Sequence, residues 1–174
     1  PFTVFAPQDS AFGKLPSESL KSLLEPENKP QLTGILTYHV VAGEFTAADL
    51  MKKSGLVTVN GQRLNLKPVE GSLSIDDANV VMADIRCDNG IIHVIDSVLM
   101  PETKSIPKVA AGTEKFKTLL AAAKSANLVE TLSGKGPLTL FAPTDEAFAK
   151  LPAGTVEELL KPENREKLVA ILTY

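Results

Sequence analysis

The sequence has few of the residues on which enzymes and metal sites depend. Its 174 residues include one cysteine, two histidines and no tryptophan. The single cysteine, Cys87, excludes an internal disulfide and a cysteine-based zinc site. Ser10 lies in no triad-like pattern, because only His39 and His93 are available to act as its base. We therefore expect a protein that is not an enzyme and that uses no cofactor and no metal.

The sequence also lacks an excess of positive charge and any long apolar run. It has 18 Lys and Arg against 21 Asp and Glu, a net charge of -3, and no basic block, which argues against nucleic acid as a partner. No apolar run reaches the roughly 18 residues that span a bilayer, so no transmembrane segment is expected. The chain opens inside a strand-like run without a signal segment, and we expect its true start to lie upstream.

What the sequence does contain is a repeat of itself. Residues 1–38 align without a gap with residues 137–174, and 21 of the 38 positions are identical. The offset of 136 residues suits a whole domain rather than a solenoid unit. We expect residues 1–101 to be a first module that lacks its N-terminal helices. Residues 102–112 are then a linker, and residues 113–174 are the N-terminal part of a second module.

Helical and strand patterns alternate in blocks along one copy. The leucines of residues 20–24 and 32–36 recur at helical spacing, and Thr46 is predicted to cap a short helix through Leu50. Asp9 is predicted to cap the helix that follows it, and Thr155 with Glu158 matches a capping box. A helix over residues 113–132 is expected to break near Asn127. These patterns indicate helices that come before most of the strands, which favours an α+β fold.

Strand patterns dominate residues 38–41 and 56–95. Asn60-Gly61 lies between two segments in which apolar and polar residues alternate, which predicts a hairpin with a type I′ turn. Residues 80–85 and 91–95 are predicted to be the two strands of a second hairpin. Ile91–Ile95 is apolar on both faces and is therefore predicted to be a central strand. Asp76-Asp77 lacks the spaced ligands of a calcium loop, so a turn is expected there.

Three motifs in this order resemble the fasciclin (FAS1) domain over nearly the whole chain. The first signature matches Phe2–Phe12 and again Leu138–Phe148, a Tyr-His motif matches Tyr38-His39, and the second signature matches Asn89–Leu99. The resemblance implies a fasciclin-like wedge of two β-sheets with helices packed on one side. It also implies a secreted or cell-surface protein whose signal peptide is not in this fragment.

The function implied by the resemblance is adhesion, through contacts with a protein or an extracellular-matrix or cell-surface polymer. In animal members, integrin contact has been placed in the Tyr-His region, but nothing in this sequence indicates an animal source. Tyr38 and His39 are accordingly the candidate binding residues, although His39 is equally compatible with a packed, hydrogen-bonded core histidine. The alternative function is a structural spacer, or a carrier of carbohydrate or small apolar ligands at the cell surface.

The remaining motif residues are predicted to be structural. His93 is expected to be a buried imidazole, bonded to the backbone or to a carboxylate. The full set is Phe5, Ala6, Pro7, Asp9, Asp84, Gly90, His93, Asp96, Phe141, Ala142, Pro143 and Asp145.

Because the first module lacks its N-terminal helices, we expect it to have an uncovered apolar surface. Residues 113–133 fold back over it, or copies of the chain exchange this element or self-associate, or the chain is a section of a longer array.

Overall fold

The computed structural model describes residues 1–69, 71–134, 136 and 138–174. The chain divides into two compact units, Pro1–Glu102 and Thr103–Tyr174. The first unit contains a β-sheet with short helices, and the described part of the second unit contains helices alone.

The first unit is built on seven strands. In chain order they are β1 (Phe2–Pro7), β2 (Val40–Ala42), β3 (Gly55–Val57), β4 (Arg63–Val69), β5 (Ser72–Ile75), β6 (Ala78–Cys87) and β7 (Gly90–Ile95). They form one hydrogen-bonded sheet in the order β2-β1-β7-β6-β5-β4-β3. Neighbouring strands are antiparallel except for β1 and β7, which are parallel. A mixed sheet with separate helices confirms the predicted α+β class.

Strand β7 is central, as its two apolar faces predict. It pairs with β1 on one side, where Phe5 lies opposite His93, and with β6 on the other. Ile91 and Ile95 are buried. At its start, a Cβ on Gly90 would overlap the Phe2 carbonyl, so no side chain fits where β1 passes this close.

The helices of the first unit are short and connect the strands. They are α1 (Asp9–Phe12), α2 (Ser17–Leu23), α3 (Lys29–Tyr38) and α4 (Ala47–Leu50). Thr46 caps α4 in a reciprocal capping box with Asp49, as predicted. Two expectations fail. Helix α3 runs through Tyr38, so the strand begins only at Val40, and Asp9 is the first residue of α1 rather than its cap.

Both predicted hairpins form, but the first turn is longer than its sequence indicates. Val57 pairs with Arg63, which leaves a five-residue loop in place of a two-residue type I′ turn. Only Gly61 in this loop has a positive φ, of 95°. The Thr58 N–H donates to the Gln62 carbonyl, and Asn60 donates to the carbonyls of Gly34 and Thr37 on α3. Contacts with α3 therefore hold this loop beside Tyr38.

The core of the first unit lies between α3, α4 and the sheet. Its residues are Phe5, Tyr38, Val41, Leu50, Leu64, Leu66, Leu73, Ile75, Ala78, Ile95 and Leu99. Each large side chain buried there stabilises the fold by roughly 1.5–3 kcal/mol relative to an exposed position.

The described residues of the second unit form six α-helices. They are α5 (Ile106–Gly112), α6 (Lys117–Ser125), α7 (Val129–Ser133), α8 (Asp145–Phe148), α9 (Thr155–Leu159) and α10 (Arg165–Thr173). The second half of the predicted linker 102–112 is helical, with Pro107 at a first-turn position of α5. Asn127, with a φ of 56°, separates α6 from α7 at the predicted break. Gly154, not Thr155, precedes α9, and the expected capping box is not made.

The second copy of β1 does not form a strand within the described residues. Residues 138–143 align with β1 but have no regular secondary structure. The reason is the missing ladder: β1 is held by β2 and β7, and no strand pairs with residues 138–143 in the described part of the second unit. The second copy of the signature, Leu138–Phe148, therefore does not form the strand that its first copy forms.

Candidate functional site

Tyr38 is the last residue of α3, and its ring packs into the core. Its hydroxyl donates to Asp76 Oδ2 at 2.8 Å and lies 3.3 Å from the Arg63 carbonyl oxygen. Burial, together with the hydrogen bond to Asp76 and its negative charge, raises the pKa of Tyr38. The phenol therefore stays protonated and serves as a fixed donor rather than as an acid.

Asp76 is fixed in turn by the β5–β6 turn. Its φ of 48° turns the backbone, and its Oδ1 accepts hydrogen bonds from the backbone N–H and side-chain amide of Asn65, both at 2.9 Å. The Asp76 N–H donates to the Asn65 carbonyl. Tyr38, Asn65 and Asp76 thus form a connected network in which each side chain orients the next.

This network forms the floor of an open groove on the first unit, with a volume of about 710 Å³. We call it the polar groove. It is lined by Tyr38, Ser54, Gln62, Arg63, Asn65, Leu66, Lys67, Asp76, Asp77, Met100 and Glu102. Arg63 and Lys67 line it together with the acidic Asp76, Asp77 and Glu102, so side chains of both charges lie along it.

The walls of the polar groove are held by side chain to backbone contacts. Gln62 and Glu102 exchange two hydrogen bonds, from Gln62 Nε2 to the Glu102 carbonyl at 2.9 Å and from the Glu102 N–H to Gln62 Oε1 at 3.0 Å. Arg63 Nη2 donates to Ser54 Oγ at 2.8 Å. The segment after β7 is therefore fastened to the β3–β4 loop, and the groove is formed before any ligand arrives.

His39, the other candidate binding residue, does not line the polar groove. Its ring is buried, Nε2 accepts from the Leu99 N–H at 3.0 Å, and Nδ1 lies 2.8 Å from the Ile35 carbonyl. Since Nε2 accepts, the neutral ring must carry its proton on Nδ1. Burial lowers the pKa of His39, an effect that the Ile35 carbonyl partly offsets. His39 joins α3 to the end of the sheet behind Tyr38.

His93 is fully buried in β7 and stacks on Phe5, with ring centroids 5.7 Å apart. Its Nε2 lies 2.9 Å from the Phe45 carbonyl, and the Asp84 N–H donates to Nδ1 at 3.3 Å. Asp84, at a φ of 60° in the irregular stretch of β6, accepts from the N–H of Ala47 at the start of α4. The ring thus connects strands to the loop before α4 without facing solvent.

Two further acidic motif residues, Asp96 and Asp145, accept hydrogen bonds from backbone groups. Asp96 accepts from the Asn79 N–H at 2.8 Å, and this bond, more than the distant Lys14 ammonium, lowers the pKa of Asp96. Asp145 accepts from the backbone N–H groups of Lys117 and Thr118 at the start of α6, at 3.2 and 2.7 Å. The Thr118 hydrogen bond is the main cause that lowers the pKa of Asp145.

Sequence reasoning selected Tyr38 but missed the rest of the polar groove. Arg63, Asn65 and Lys67 come from one strand, whereas Asp76 comes from the predicted turn at Asp76-Asp77, to which the sequence assigned no site. A weak signal existed, since polar residues alternate with apolar ones in β4. Nothing in the sequence shows that β4, the β5–β6 turn and the segment after β7 meet at one surface.

The described residues hold no group of three or more His, Cys, Asp or Glu side chains that could bind a metal ion. Within the same residues, every helix is too short or too polar to cross a membrane. Cys87 is exposed at the β6–β7 hairpin.

Comparison with known proteins identifies the family. The fasciclin domain profile matches residues 1–101 and 114–174. The chain belongs to the fasciclin domain family. This fasciclin chain is 46% identical over 101 residues to protein sll1483 of Synechocystis sp., a match covering 58% of the chain and 56% of that protein. It is 35% identical over 162 residues to the transforming growth factor-beta-induced protein ig-h3 of Sus scrofa, covering 91% of the chain and 23% of that protein.

Two further matches extend over all or nearly all of the fasciclin chain. Stabilin-2 of Rattus norvegicus is 31% identical over 195 residues, covering 100% of the chain and 13% of that protein. The solved FAS1 domain pair from the insect cell adhesion molecule Fasciclin I has a TM-score of 0.46 and 21% identity, covering 96% of this chain and 58% of that one. The chain therefore spans little more than half of sll1483 and of the solved domain pair, and less than a quarter of the other two proteins.

Proposed function

We propose that this chain is an adhesion module of the cell surface or extracellular space, which binds a protein or a polar matrix polymer through the polar groove without any covalent step. The observation that carries the proposal is the preformed groove itself. Its floor is the Tyr38–Asp76–Asn65 network, and its rim carries Arg63, Lys67 and Asp77. The family to which the chain belongs supports the same role, because the fasciclin resemblance implies adhesion.

The chemistry of the polar groove favours a polar, extended ligand. Mixed charges along the groove match a polypeptide or a polymer that carries donors and acceptors of its own, and they disfavour a uniform polyanion. Because the hydrogen bonds of Gln62, Arg63 and Asp76 already hold the walls, binding loses little conformational entropy at these positions. Tandem copies would add avidity even if one groove binds weakly.

Binding of the full chain to defined matrix components tests this role. The immobilised chain would be titrated with soluble collagen, fibronectin and hyaluronan, and its capture of intact cells would be scored. The variant Arg63→Ala, Lys67→Ala, Asp77→Ala removes the charged rim and should lower affinity at least tenfold. The matched control, Lys150→Ala, Glu157→Ala, Lys167→Ala, removes the same charges from exposed positions in the second unit. Equal binding by both variants would contradict the proposal, as would no binding to any component or cell.

A second candidate function, carriage of a small apolar ligand, has one observation in its favour. A hollow of about 330 Å³ lies between α4 and β6, lined by Ala47, Met51, Val80, Val81 and Met82 among others. This volume is at the lower end of ligand sites. A medium-chain fatty acid titrated against the chain, with Met82→Glu as the variant, would test it. Binding that Met82→Glu leaves unchanged would exclude this hollow as the site.

Exchange of elements between copies remains a separate proposal about self-association. Identical elements swap at low cost when each copy presents the same unmet surface. Light scattering on the 174-residue chain would show a dimer if exchange occurs and a monomer if it does not.

A further inference from the structure

One wall of the polar groove is an irregular segment that is held from two sides. Residues 97–102 follow β7 without regular secondary structure, and we call them the strap. Leu99 of the strap is buried in the core, whereas Met100 and Glu102 line the polar groove. On the groove side, the two hydrogen bonds between Glu102 and Gln62 are exposed to water. The buried attachment of the strap is therefore on the core side, at Leu99.

The buried attachment is a hydrogen bond to His39 that requires a neutral imidazole ring. The Leu99 N–H donates to His39 Nε2 at 3.0 Å, and Nδ1, at 2.8 Å from the Ile35 carbonyl, carries the proton of the ring. A protonated imidazole carries an N–H on both nitrogens. Protonation of His39 would therefore place a second donor against the Leu99 N–H, and a buried donor without an acceptor is unfavourable.

Among the described residues, no charged side chain compensates for a positive charge on His39. The ring lies between α3 and the strap, and the Phe5 N–H of β1 donates to the His39 carbonyl. The other titratable side chains of α3, β1, β2, β7 and the residues after β7 are Lys29, Tyr38, His93, Asp96 and Glu102. None of them shifts the pKa of His39, which burial lowers and the Ile35 carbonyl partly restores.

We propose that the hydrogen bond between His39 and Leu99 makes the polar groove acid-sensitive: protonation of His39 releases the strap, and the groove loses the wall that Met100 and Glu102 form. At neutral pH the groove keeps both walls and binds its ligand, and in acid it releases that ligand. This inference rests on the proposed function of the groove and adds its regulation. Release of the strap can be measured without a ligand, so the two proposals can fail separately.

Amide hydrogen exchange of the full chain tests the release of the strap. Protection factors, which correct for the intrinsic pH dependence of exchange, would be measured from pH 7 down to pH 4.5. The Leu99 N–H should lose protection by at least about fivefold as its acceptor is lost, while the amides of β7 keep theirs. NMR of 15N-labelled histidine in the same samples should show that His39 Nε2 gains its proton over the same pH range.

The other histidine of the first unit has a separate reporter. The Asp84 N–H donates to Nδ1 of His93, so exchange at Asp84 follows His93 and exchange at Leu99 follows His39. The variant His39→Gln offers an amide oxygen to Leu99 and has no titratable group. In this variant the protection of Leu99 should no longer depend on pH. The measurements on the wild type decide the question even if the variant does not fold.

Binding of soluble collagen, fibronectin and hyaluronan to the immobilised chain measures the effect on the groove. Wild type and His39→Gln would be compared at pH 7 and pH 5, so that the pH response of each probe itself acts on both proteins and cancels. From pH 7 to pH 5, the affinity of the wild type should fall at least about fivefold more than that of the variant. No binding of any probe at pH 7 would contradict the proposed function, and the exchange data would still decide whether the strap is released.

Four outcomes would overturn the inference. The first is protection of Leu99 that does not change with pH. The second is a loss of protection at Leu99 together with the amides of β7, because the whole unit would then unfold. The third is a loss that follows the titration of His93 rather than that of His39. The fourth is an equal fall in affinity in the wild type and in His39→Gln.

Discussion

The aligned residues Phe5 and Phe141 have the same local sequence but lie in different environments. Both stand in the motif Phe-Ala-Pro, yet Phe5 is fully buried and Phe141 is 90% exposed. Phe5 lies in β1 between β2 and β7 and stacks on His93. No strand flanks Phe141 among the described residues of the second unit. The signature therefore forms a strand only where a parallel partner such as β7 is present.

Helices α3 and α10, which are also repeat equivalents, differ in which of their side chains are buried. Ile35 is 5% exposed beneath the sheet, whereas its equivalent Ile171 is 52% exposed. Leu168, in contrast, is buried on α6, whereas its equivalent Leu32 is only half-buried. Helix α3 and its repeat equivalent α10 therefore each have two apolar faces. The face with Ile35 is buried in the first unit, and the face with Leu168 is buried against α6 in the second unit.

The largest expected effect is on the two phenylalanines. Phe5→Ala should destabilise the first unit by about 3–5 kcal/mol, because it leaves a cavity beside His93 and removes a fully buried ring. Phe141→Ala should change stability by less than about 0.5 kcal/mol, as for most exposed positions. Urea unfolding of both variants would measure the difference. Equal destabilisation would show that Phe141 is buried in solution and would contradict the difference in environment between the two phenylalanines.

The second expected effect is larger in the second unit than in the first. Leu168→Ala should destabilise the second unit by about 2–4 kcal/mol, because Leu168 is buried against Ala122 and Ala126. Leu32→Ala, at the half-buried equivalent, should have a clearly smaller effect on the first unit. Hydrogen exchange in α10 and α3 would report each unit separately. A larger loss for Leu32→Ala would mean that Leu32 is the more deeply buried of the two in solution.

The sequence was a good guide wherever structure is set by neighbours along the chain. The β6–β7 hairpin, the centrality of β7, the Thr46 cap and the break at Asn127 all follow from local pattern and from what that pattern must bury. The five-residue turn at Asn60 was not predictable, because contacts with Gly34 and Thr37 on α3 fix it. Tertiary contacts override the intrinsic turn preference there.

The candidate site was less predictable than the fold for the same reason. Tyr38 stands out in the sequence, but its partner Asp76 is 38 residues away and is selected only by the packing of α3 against the β5–β6 turn. Asp9 and Asp145 both match a local capping pattern, yet the Asp145 carboxylate caps α6, which lies 27 residues upstream at Thr118. A one-dimensional pattern does not distinguish a cap of its own helix from a cap of another.

A third, smaller effect separates the units by pH. Burial lowers the pKa of His39 in the folded state, so the unfolded chain binds more protons below the ordinary histidine pKa of about 6.5. The stability that His39 contributes is therefore complete above about pH 6.5 and is lost as the pH falls. The free-energy difference between the wild type and His39→Gln, measured by urea unfolding, should shrink below that pH. The second unit contains no histidine, so its stability should stay flat from pH 8 to 6. A difference between wild type and variant that grows in acid would contradict this sign.

The smallest expected effect separates Asp145 from Asp9. Each aspartate occupies the first position of a four-residue helix, so alanine removes the same local helix-dipole contact from α8 and α1. Only Asp145 also caps α6, and therefore Asp145→Ala should speed hydrogen exchange in α6, with Asp9→Ala as the matched control that changes nothing beyond α1. The hydrogen bonds from Thr118 and Lys117 lower the pKa of Asp145, so its stabilising contribution is complete above the ordinary aspartate pKa of about 3.9 and disappears as the pH falls through the lowered value. Wild type and Asp145→Ala should accordingly converge in strong acid. If they instead differ by a constant amount at every pH, the carboxylate charge is not what holds α6.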